Sequence, residues 1–518
     1  MPQSILPGAF LSIQPRALAR FILPAFCLAL LAAPSARAQS SPPATDVIVV
    51  DAQAPTTPFP HFWETMFGSE RAIVTLREDY RRDLREVKRI TGFSYVRFHA
   101  IFHDEMGIYG EDAEGAPVYN FTYVDQVYDG LLANGVRPFI ELSFMPSKLA
   151  SKDIRQPFFY HPNVSPPKDW KRWEDLVYRF TQHLVERYGV DEVAKWYFEV
   201  WNEPNIDFWA GEPKESTYYE LYDSAAEGIK RVSPRLRVGG PATAQAAWAD
   251  RFIKHCVEKN SPVDFVSTHV YGNDTAKDVF GTNEEIPRTK MVCRAVQKVH
   301  EQIKSSARPD LPLIWSEYNA SYMNEPDVTD AAFMGPWLAD TIRQCDGLTA
   351  MMSYWTFSDV FEEQGPEKRP FYGGFGVLAR GGVPKPAFNA FVLLHKLSTE
   401  RIPVNSDSVL ATRRKDGALE IAVWNIALPE DSGTPKTMSI EVKGLTKTHT
   451  VTIYRMDPQH GSPLPAWDAM RKPRYPTQQQ LESLRKAGAL APPESRALTD
   501  GRVTLTLPPQ SLFLLEVK

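Results

Sequence analysis

The segment Trp196-Tyr197-Phe198-Glu199-Val200-Trp201-Asn202-Glu203-Pro204 decides the fold of this chain. Its first part is an almost continuous apolar run, which is typical of a strand buried on both faces of a parallel sheet. The polar Asn-Glu-Pro turn follows at the carboxyl end of that strand, where α/β folds place functional side chains. Leu311-Pro312-Leu313-Ile314-Trp315-Ser316-Glu317 repeats the arrangement. The two segments predict parallel strands that each end in a glutamate.

Strand and helix patterns alternate eight times between residues 61 and 398. The predicted strands are 61–68, 94–100, 136–144, 196–202, 236–240, 263–269, 311–316 and 348–355. The predicted helices are 76–91, 123–134, 170–188, 216–232, 248–260, 288–305, 330–345 and 386–398. Alternation alone would also fit an open doubly wound sheet, but eight repeats favour a closed (β/α)8 TIM barrel spanning residues 59–400.

The pattern changes after residue 400, where short strands alternate with turn residues. The predicted strands are 409–413, 419–425, 437–442, 448–454, 502–507 and 511–517. They indicate a β-sandwich accessory domain over residues 401–518. A Pro-rich insertion at 458–496, with one helix at 477–487, interrupts the sandwich and could lie over the barrel. The sequence predicts a linker and an N-terminal strand, 46–51, within residues 39–58, and membership of that strand in the sandwich is left open.

Residues 1–38 have the features of a signal peptide rather than of a folded segment. Arg16 and Arg20 precede a short apolar run, and Ala36-Arg37-Ala38 matches a small-x-small cleavage site. The alternative is an uncleaved membrane anchor, but the run is too short to span a bilayer comfortably. We therefore expect cleavage after Ala38 and a periplasmic or secreted protein.

Composition excludes several classes of partner. Loss of the leader removes three of the 58 basic residues and no acid, so the formal charge changes from −5 to −8. An acidic chain disfavours nucleic acid and anionic membranes as partners.

Cys256, Cys293 and Cys345 lie in predicted helices, and three buried thiols are the default expectation. Without CxxC, HExxH or clustered histidines, we expect neither a metal nor a cofactor.

Glu203 and Glu317 are the candidate catalytic residues. Two carboxyl groups at strand ends of one barrel can flank a glycosidic bond, one as general acid/base and the other as nucleophile. Nearby aromatic side chains and an ionised Glu317 should raise the pKa of Glu203, which suits a proton donor. Glu317, beside Tyr318 and Asn319, is expected to accept hydrogen bonds that keep it ionised. The alternative role for either glutamate is a structural ion pair.

Further polar and aromatic side chains follow other predicted strands. Asn202 could hold a sugar 2-hydroxyl, or it could cap the turn before Pro204. His99, His269 and Tyr271 are candidates for substrate contact, although a lone histidine is more often a satisfied core residue. Trp355 could stack on a sugar ring or belong to the core. Arg97 is as suited to pairing with a buried glutamate as to touching sugar.

Several motifs lie at the ends of the predicted strands and in the loops that follow them, namely 97–99 (RFH), 103–107 (HDEMG), 201–205 (WNEPN), 316–319 (SEYN), 354–363 (YWTFSDVFEE) and 373–376 (GGFG). Together they resemble glycoside hydrolase family 39, which contains β-xylosidases and α-L-iduronidase. The resemblance spans about residues 46–518 and is nearest to the bacterial β-xylosidase branch. It implies Glu203 as acid/base, Glu317 as nucleophile, and His99, Asn202, His269, Tyr271, Trp355 and Glu363 around the glycone. It also implies a cis peptide after Trp355.

The leading hypothesis is a retaining exo-β-D-xylosidase that releases xylose from the non-reducing ends of xylo-oligosaccharides. One alternative is another retaining glycosidase, acting on α-L-arabinosides, β-glucosides, uronides or an exopolysaccharide. A less favoured alternative is a non-catalytic carbohydrate-binding barrel. The expected partner is an oligosaccharide substrate, and formation of a homo-oligomer is left open.

Overall fold

The computed structural model describes residues 46–367, 369–445 and 449–518. The predicted signal peptide, residues 1–38, and the linker that follows it lie outside the described residues. Within the described part of the chain, no helix combines the length and the apolar character needed to cross a membrane.

Eight parallel strands close into a barrel, as the sequence predicts. Barrel strands one to eight are Met66–Arg71, Tyr95–His99, Arg137–Leu142, Tyr197–Val200, Arg237–Thr243, Phe265–Tyr271, Leu313–Asn319 and Met351–Tyr354. The main outer helices are Glu78–Thr91, Thr122–Ala133, Trp170–Tyr188, Lys214–Val232, Ala249–Lys259, Arg288–Lys304, Met334–Cys345 and Pro386–Leu394. The chain is therefore a (β/α)8 barrel.

The barrel interior changes from apolar to polar along the strands. Met66, Phe139, Phe265, Ile314 and Met351 form a closed apolar cluster inside the barrel. Side chains of a strand point inward at every second residue, so the next inward layer lies two positions further on. In strands three and seven that layer is Glu141 and Ser316 in place of Phe139 and Ile314. The carboxyl half of the barrel is thus built from polar groups.

The region after the barrel forms antiparallel sheets. The larger sheet contains, with shorter pieces, the strands Val409–Arg413, Leu419–Asn425, Thr450–Met456, Glu494–Ala497 and Ser511–Val517. The smaller sheet consists of Asp46–Asp51, Lys436–Lys443 and Arg502–Leu507. Asp46–Asp51 pairs parallel with Lys436–Lys443, so the strand that precedes the barrel is part of this smaller sheet. Apolar side chains of both sheets share one core.

The segment 458–496 contains two helices, Leu464–Ala469 and Gln478–Gly488, whereas the sequence predicted only the second. Trp467 and Leu484 pack with Phe371, in the long loop after barrel strand eight. Asn389 of the last barrel helix donates to the carbonyls of residues 461 and 488, at 2.7 and 2.6 Å. The insertion therefore packs against the barrel. Its first helix was missed because only six residues form it and prolines 463 and 465 stand at its start, where the sequence reads as a loop.

The expectation of three buried thiols is wrong. Cys293 and Cys345 form a disulfide with Cα atoms 5.3 Å apart, and only Cys256 is a free, buried thiol among the described cysteines. The two cysteines lie on the sixth and seventh outer helices, which are consecutive and therefore adjacent in a barrel. The 52-residue separation concealed this neighbourhood, although the predicted barrel order contained it.

Lys385 fixes the loop after barrel strand eight. Its ammonium group is fully buried and lies 2.7 Å from Asp330 and 3.0 Å from Asp359. It also donates to the carbonyl of Gly374 at 2.7 Å. Asp359 in turn accepts from the backbone N–H of Gly376, at 2.7 Å. This cluster holds residues 359–376, which border the carboxyl face of the barrel.

Lys385→Met should destabilise the protein by about 3–5 kcal/mol, because two buried carboxylates lose their cation. The matched control is Lys254→Met, which removes an exposed pair with Glu258 on a helix and should cost less than about 1 kcal/mol. Chemical denaturation of both variants measures the difference. Equal losses would contradict the structural role given to Lys385.

Candidate active site

Glu203 and Glu317 lie close together at the carboxyl face of the barrel. Glu203 follows strand four, and Glu317 lies on strand seven. A carboxylate oxygen of each, together with a nitrogen of His269, forms a group whose atoms all lie within 4.8 Å of one another. Trp201 and Glu203 have positive φ angles of 72° and 47°. Such conformations are uncommon for residues other than glycine and cluster at functional sites. The turn after strand four thus directs Glu203 toward Glu317.

Arg97 lies beneath the two glutamates, in the polar layer of the barrel interior, and is fully buried. Its guanidinium donates to Glu317 at 2.6 Å and to Glu199 at 2.6 Å. It also donates to Asn202 Oδ1 at 2.9 Å and lies 2.7 Å from Glu141. These charge-assisted bonds fix one oxygen of Glu317 and the rotamer of Asn202. Pairing with buried glutamates is therefore the role of Arg97.

Tyr271 fixes the second oxygen of Glu317. The phenol donates to Glu317 Oε2 at 2.7 Å, while Arg97 occupies Oε1. The neighbours Tyr318 and Asn319 have other roles: Asn319 donates to the carbonyl of Trp355, and the ring of Tyr318 stacks on Trp337. The expected hydrogen bonds to Glu317 exist, but they come from strands two and six rather than from residues adjacent in sequence.

His269 lies directly behind the two glutamates and is fully buried. Its Nδ1 is 3.0 Å from Glu203 Oε1 and 3.7 Å from Glu317 Oε1, and its Nε2 is 3.1 Å from Ser316 Oγ. Burial, together with the charges of Arg97 and His99, lowers the pKa of His269 well below its usual value. A neutral His269 can donate to only one carboxylate while it accepts from Ser316.

His99 connects the base of the site to its rim. Its Nδ1 is 2.7 Å from Glu141 and its Nε2 is 3.4 Å from Glu363. Burial alone would lower the pKa of His99, but the charge of Glu141 overrides it and the pKa rises well above the usual value. A cationic His99 thus holds Glu363 beside the cavity. Burial raises the pKa of the Glu363 carboxyl.

A cavity of about 380 Å³ opens above these groups. Seven of the eight site residues predicted from the sequence line it, namely His99, Asn202, Glu203, Tyr271, Glu317, Trp355 and Glu363. His269 lies behind the wall. Trp355 forms an apolar cluster with Tyr271, Phe361 and Phe375. It can lie flat because Gly68 faces it: a Cβ at that position would come within 2.2 Å of the indole ring. The Trp355–Thr356 peptide is cis, as the resemblance implied.

Several groups of the site were not predicted. Glu141 and Glu199 lie in barrel strands three and four. Each is a charged residue inside an otherwise apolar strand, and this pattern could have identified both as site residues. Asp274, Gln245 and Tyr322 line the cavity from loops whose sequences carry no comparable signal. The cluster of Glu203, His269 and Glu317 has atoms suited to a metal, yet Arg97 and Tyr271 already occupy both oxygens of Glu317, and neither glutamate has a buried oxygen without a partner.

Glu203 differs electrostatically from Glu317. Burial raises the pKa of Glu203 well above its usual value, and the charges of Glu317 and Asp274 raise it further. The described residues place no lysine or arginine within ion-pair distance of Glu203, whereas Arg97 contacts Glu317. One carboxyl group is therefore suited to carry a proton and the other to carry a charge. Two carboxyl groups of these kinds, about 5 Å from each other, define the active site of a retaining glycosidase.

The chain belongs to the family described as "Glycosyl hydrolases family 39", whose profile matches residues 46–503. It is 36% identical to a β-xylosidase of Geobacillus stearothermophilus over 468 residues, covering 88% of this chain and 92% of that protein. A β-xylosidase of Caldicellulosiruptor saccharolyticus is 38% identical over 440 residues, 83% of this chain and 88% of that one. A crystal structure of a monomeric β-xylosidase from Caulobacter crescentus CB15 matches with a TM-score of 0.83 and 35% identity, over 92% and 99% of the two chains. The resemblance of the sequence to this family is confirmed.

Asp274→Asn should shift the basic limb of the pH–activity profile to lower pH. Burial raises the pKa of Asp274 to about 6, so above that pH its charge adds to those that hold the proton on Glu203. Without this charge Glu203 loses its proton at lower pH. Activity needs the acid form of Glu203, so activity also declines at lower pH. The measurement is kcat/KM against pH on an aryl glycoside.

The control is Asp278→Asn, an exposed neighbour whose charge acts on Asp274 but is not among the main influences on Glu203. It should leave the basic limb in place. A basic limb that stays unchanged in Asp274→Asn would remove Asp274 from the electrostatics of the acid.

Proposed function

We propose that the protein is a retaining exo-β-D-xylosidase that releases xylose from the non-reducing ends of short xylo-oligosaccharides. The observation that carries the proposal is the approach of Glu203 to Glu317, with carboxylate oxygens within 4.8 Å. Retaining glycosidases place the two groups about 5–5.5 Å apart, whereas inverting enzymes leave roughly 6.5–9.5 Å for a water. The relatives indicate which sugar is released, because two of them are β-xylosidases at 36% and 38% identity.

In the first step, Glu317 attacks the anomeric carbon while Glu203 gives its proton to the departing oxygen. The bond from carbon to the leaving oxygen breaks as the bond to Glu317 forms. In the second step, Glu203, now a carboxylate, takes a proton from water, and the water oxygen displaces Glu317. Burial is the main cause of the raised pKa of Glu203, and the charge of Glu317 adds to it. Once Glu317 is esterified that charge is gone, so the pKa of Glu203 falls and Glu203 can act as a base.

The remaining groups position the sugar. The amide oxygen of Asn202 accepts a hydrogen bond from Arg97. The NH2 group of Asn202 is therefore left to hold the 2-hydroxyl beside the anomeric carbon. Trp355 offers an apolar face for the C–H side of the ring. Glu363, held by His99, can accept from hydroxyls at the far end of the glycone. His269 positions Glu203, and Tyr271 positions Glu317.

The charge of the cavity favours a neutral glycone. Its wall contains Glu203, Asp274, Glu317 and Glu363, and neither lysine nor arginine is among the described residues that line it. A uronic acid would place a further carboxylate beside these groups, where the cationic His99 is already paired with Glu141 and Glu363. A cavity of about 380 Å³ also suits the end of a chain better than an internal segment.

We also propose that the protein works in the periplasm or outside the cell. The leader features of residues 1–38 support export, and the Cys293–Cys345 disulfide suits an oxidising compartment. Formation of a homo-oligomer stays a prediction, and the matched Caulobacter protein is described as monomeric.

A panel of aryl glycosides tests the substrate. Hydrolysis of the β-D-xyloside should exceed that of the β-D-glucoside by roughly 10–200-fold in kcat/KM, because the extra hydroxymethyl group must fit a cavity shaped for a pentose. The β-D-glucuronide should be the poorest substrate of the series. A preference for the glucuronide or for the α-L-arabinoside would overturn the xylosidase assignment and leave a family 39 hydrolase of other specificity.

Replacement of each glutamate tests the mechanism. Glu317→Gln should lower turnover of an aryl β-xyloside on the order of 10³-fold or more, because the covalent step is lost. Glu203→Ala should spare glycosylation when the leaving group is activated and slow deglycosylation, and added azide should restore turnover with a β-glycosyl azide as product. Glu284→Gln, an exposed pair with Arg294, is the control and should keep full activity. Formation of an inverted product would disprove the retaining mechanism.

Export of the chain from a bacterial host tests the leader. The protein recovered from the periplasm should begin at Gln39, and Ala38→Arg should leave residues 1–38 attached because the cleavage site requires a small residue there. The mass of the intact protein distinguishes the two. Wild-type protein that keeps its first 38 residues would contradict the predicted cleavage.

A further inference from the structure

A second cluster of metal-binding side chains lies at the amino-terminal end of the barrel, opposite the catalytic cavity. His61 and Glu64 precede barrel strand one, and His395 follows the last barrel helix. His61 Nδ1 is 2.6 Å and His395 Nδ1 is 2.7 Å from the same oxygen, Glu64 Oε1. The three potential ligand atoms all lie within 4.8 Å of one another. The site joins residues that are 331 positions apart in sequence.

The contact between His61 and Glu64 needs a proton or a metal ion between the two groups. His61 Nε2 is 2.7 Å from the carbonyl oxygen of Leu397, which can only accept, so Nε2 carries a proton. Nδ1 faces the Glu64 carboxylate and can bind it through a second proton or through a shared metal ion. Two acceptors 2.6 Å apart repel each other unless a proton or a metal ion lies between them. An imidazole whose far nitrogen donates to a carbonyl is the arrangement that orients metal-bound histidines.

Glu64 provides a second, independent indication. The residue is only 4% exposed, and its other oxygen, Oε2, is buried without a hydrogen-bond partner. Among the described residues its ion pairs are with His61 and His395 alone. A buried carboxylate oxygen without a partner is costly, and a cation bound beside it would remove that cost.

We propose that His61, Glu64 and His395 bind one divalent transition-metal ion, for which Zn(II) is the best match. Two imidazole nitrogens and one carboxylate form an established zinc ligand set, with water in the fourth position. The His395 side chain is 44% exposed, which gives an ion and its water access to the site. The ammonium of Lys396, next in sequence, is paired with Glu516 at 3.1 Å, so its charge is partly neutralised.

Binding requires a small local movement. A tetrahedral zinc with bonds of about 2.0 Å holds its ligand atoms roughly 3.3 Å apart, so the nitrogens and Glu64 Oε1 must separate by about 0.6 Å. His395 can move outward because its side chain is 44% exposed, and Glu64, whose Oε2 has no partner, must turn away from His61, which Leu397 holds. The bound ion would fasten the segment before the first strand to the end of the last helix. The ion would therefore stabilise the junction between the beginning and the end of the barrel domain, and it would take no part in hydrolysis.

Untagged, metal-free protein titrated with Zn(II) in a calorimeter tests the proposal. Wild type should bind one equivalent with a dissociation constant of micromolar or below, and saturation should raise Tm by at least about 2 °C. Co(II) in place of Zn(II) should give the visible absorption of a tetrahedral site. Glycosidase activity should stay unchanged, because the catalytic glutamates lie on the opposite face.

Two variants and one control make the result specific. His395→Gln can still donate a hydrogen bond to Glu64 but is a poor zinc ligand, and it should weaken binding at least 100-fold, a conservative expectation for loss of a direct ligand. Glu64→Gln should do the same if the carboxylate is a ligand. His255→Gln, which removes a single histidine–aspartate pair with Asp223, should bind as wild type does.

Absence of binding below 1 mM Zn(II), on the order of the weakest affinities that count as specific, would overturn the proposal. Equal binding by wild type and His395→Gln would also overturn it. Binding that survives in His395→Gln and abolishes activity would place the ion on Glu203, His269 and Glu317 instead. Circular dichroism of each variant establishes that the fold is intact before binding is compared.

Discussion

The buried guanidinium of Arg97 is the constraint on which the site depends. It is completely buried and contacts Glu141, Glu199 and Glu317, which come from three different barrel strands. A buried cation is tolerated only when such partners surround it, and loss of the guanidinium would deprive three buried carboxylates of their shared cation. Arg97 therefore fixes the position of Glu317, and through Glu141 and His99 it also fixes Glu363.

The same arrangement makes two chemically identical residues different. Glu317 receives hydrogen bonds from Arg97 and Tyr271, whereas Glu203 faces a neutral His269 and the negative charge of Asp274. Burial and the neighbouring charges raise the pKa of Glu203, while Arg97 and Tyr271 bind the carboxylate of Glu317, and in this way one site supplies both an acid and a nucleophile. The barrel supplies this asymmetry because strands two, six and seven bring their side chains to one point.

Much of the fold was accessible from sequence. The apolar runs before Asn202 and Glu317 gave the correct strands, since strands of a parallel barrel are buried on both faces. Helix 170–188 has the ends that the sequence predicted, and in the structure the side chain of Asp169 caps its start and Gly189 follows its end. The disulfide and the helix 464–469 were missed. Each depends on packing between segments distant in the chain: two neighbouring outer helices for the cysteines, and contact with Phe371 for Trp467.

The sequence by itself determined the barrel and the two glutamates at strand ends, because these depend on local patterns of apolar and polar residues. Only the tertiary structure decided which groups hold each carboxylate. Tyr271 rather than Tyr318 contacts Glu317, and Arg97 joins carboxylates up to 220 positions away. Only the fold could bring His61, Glu64 and His395 together. Contacts across a closed barrel are set by strand order and register, and a one-dimensional pattern does not contain the distances between such side chains.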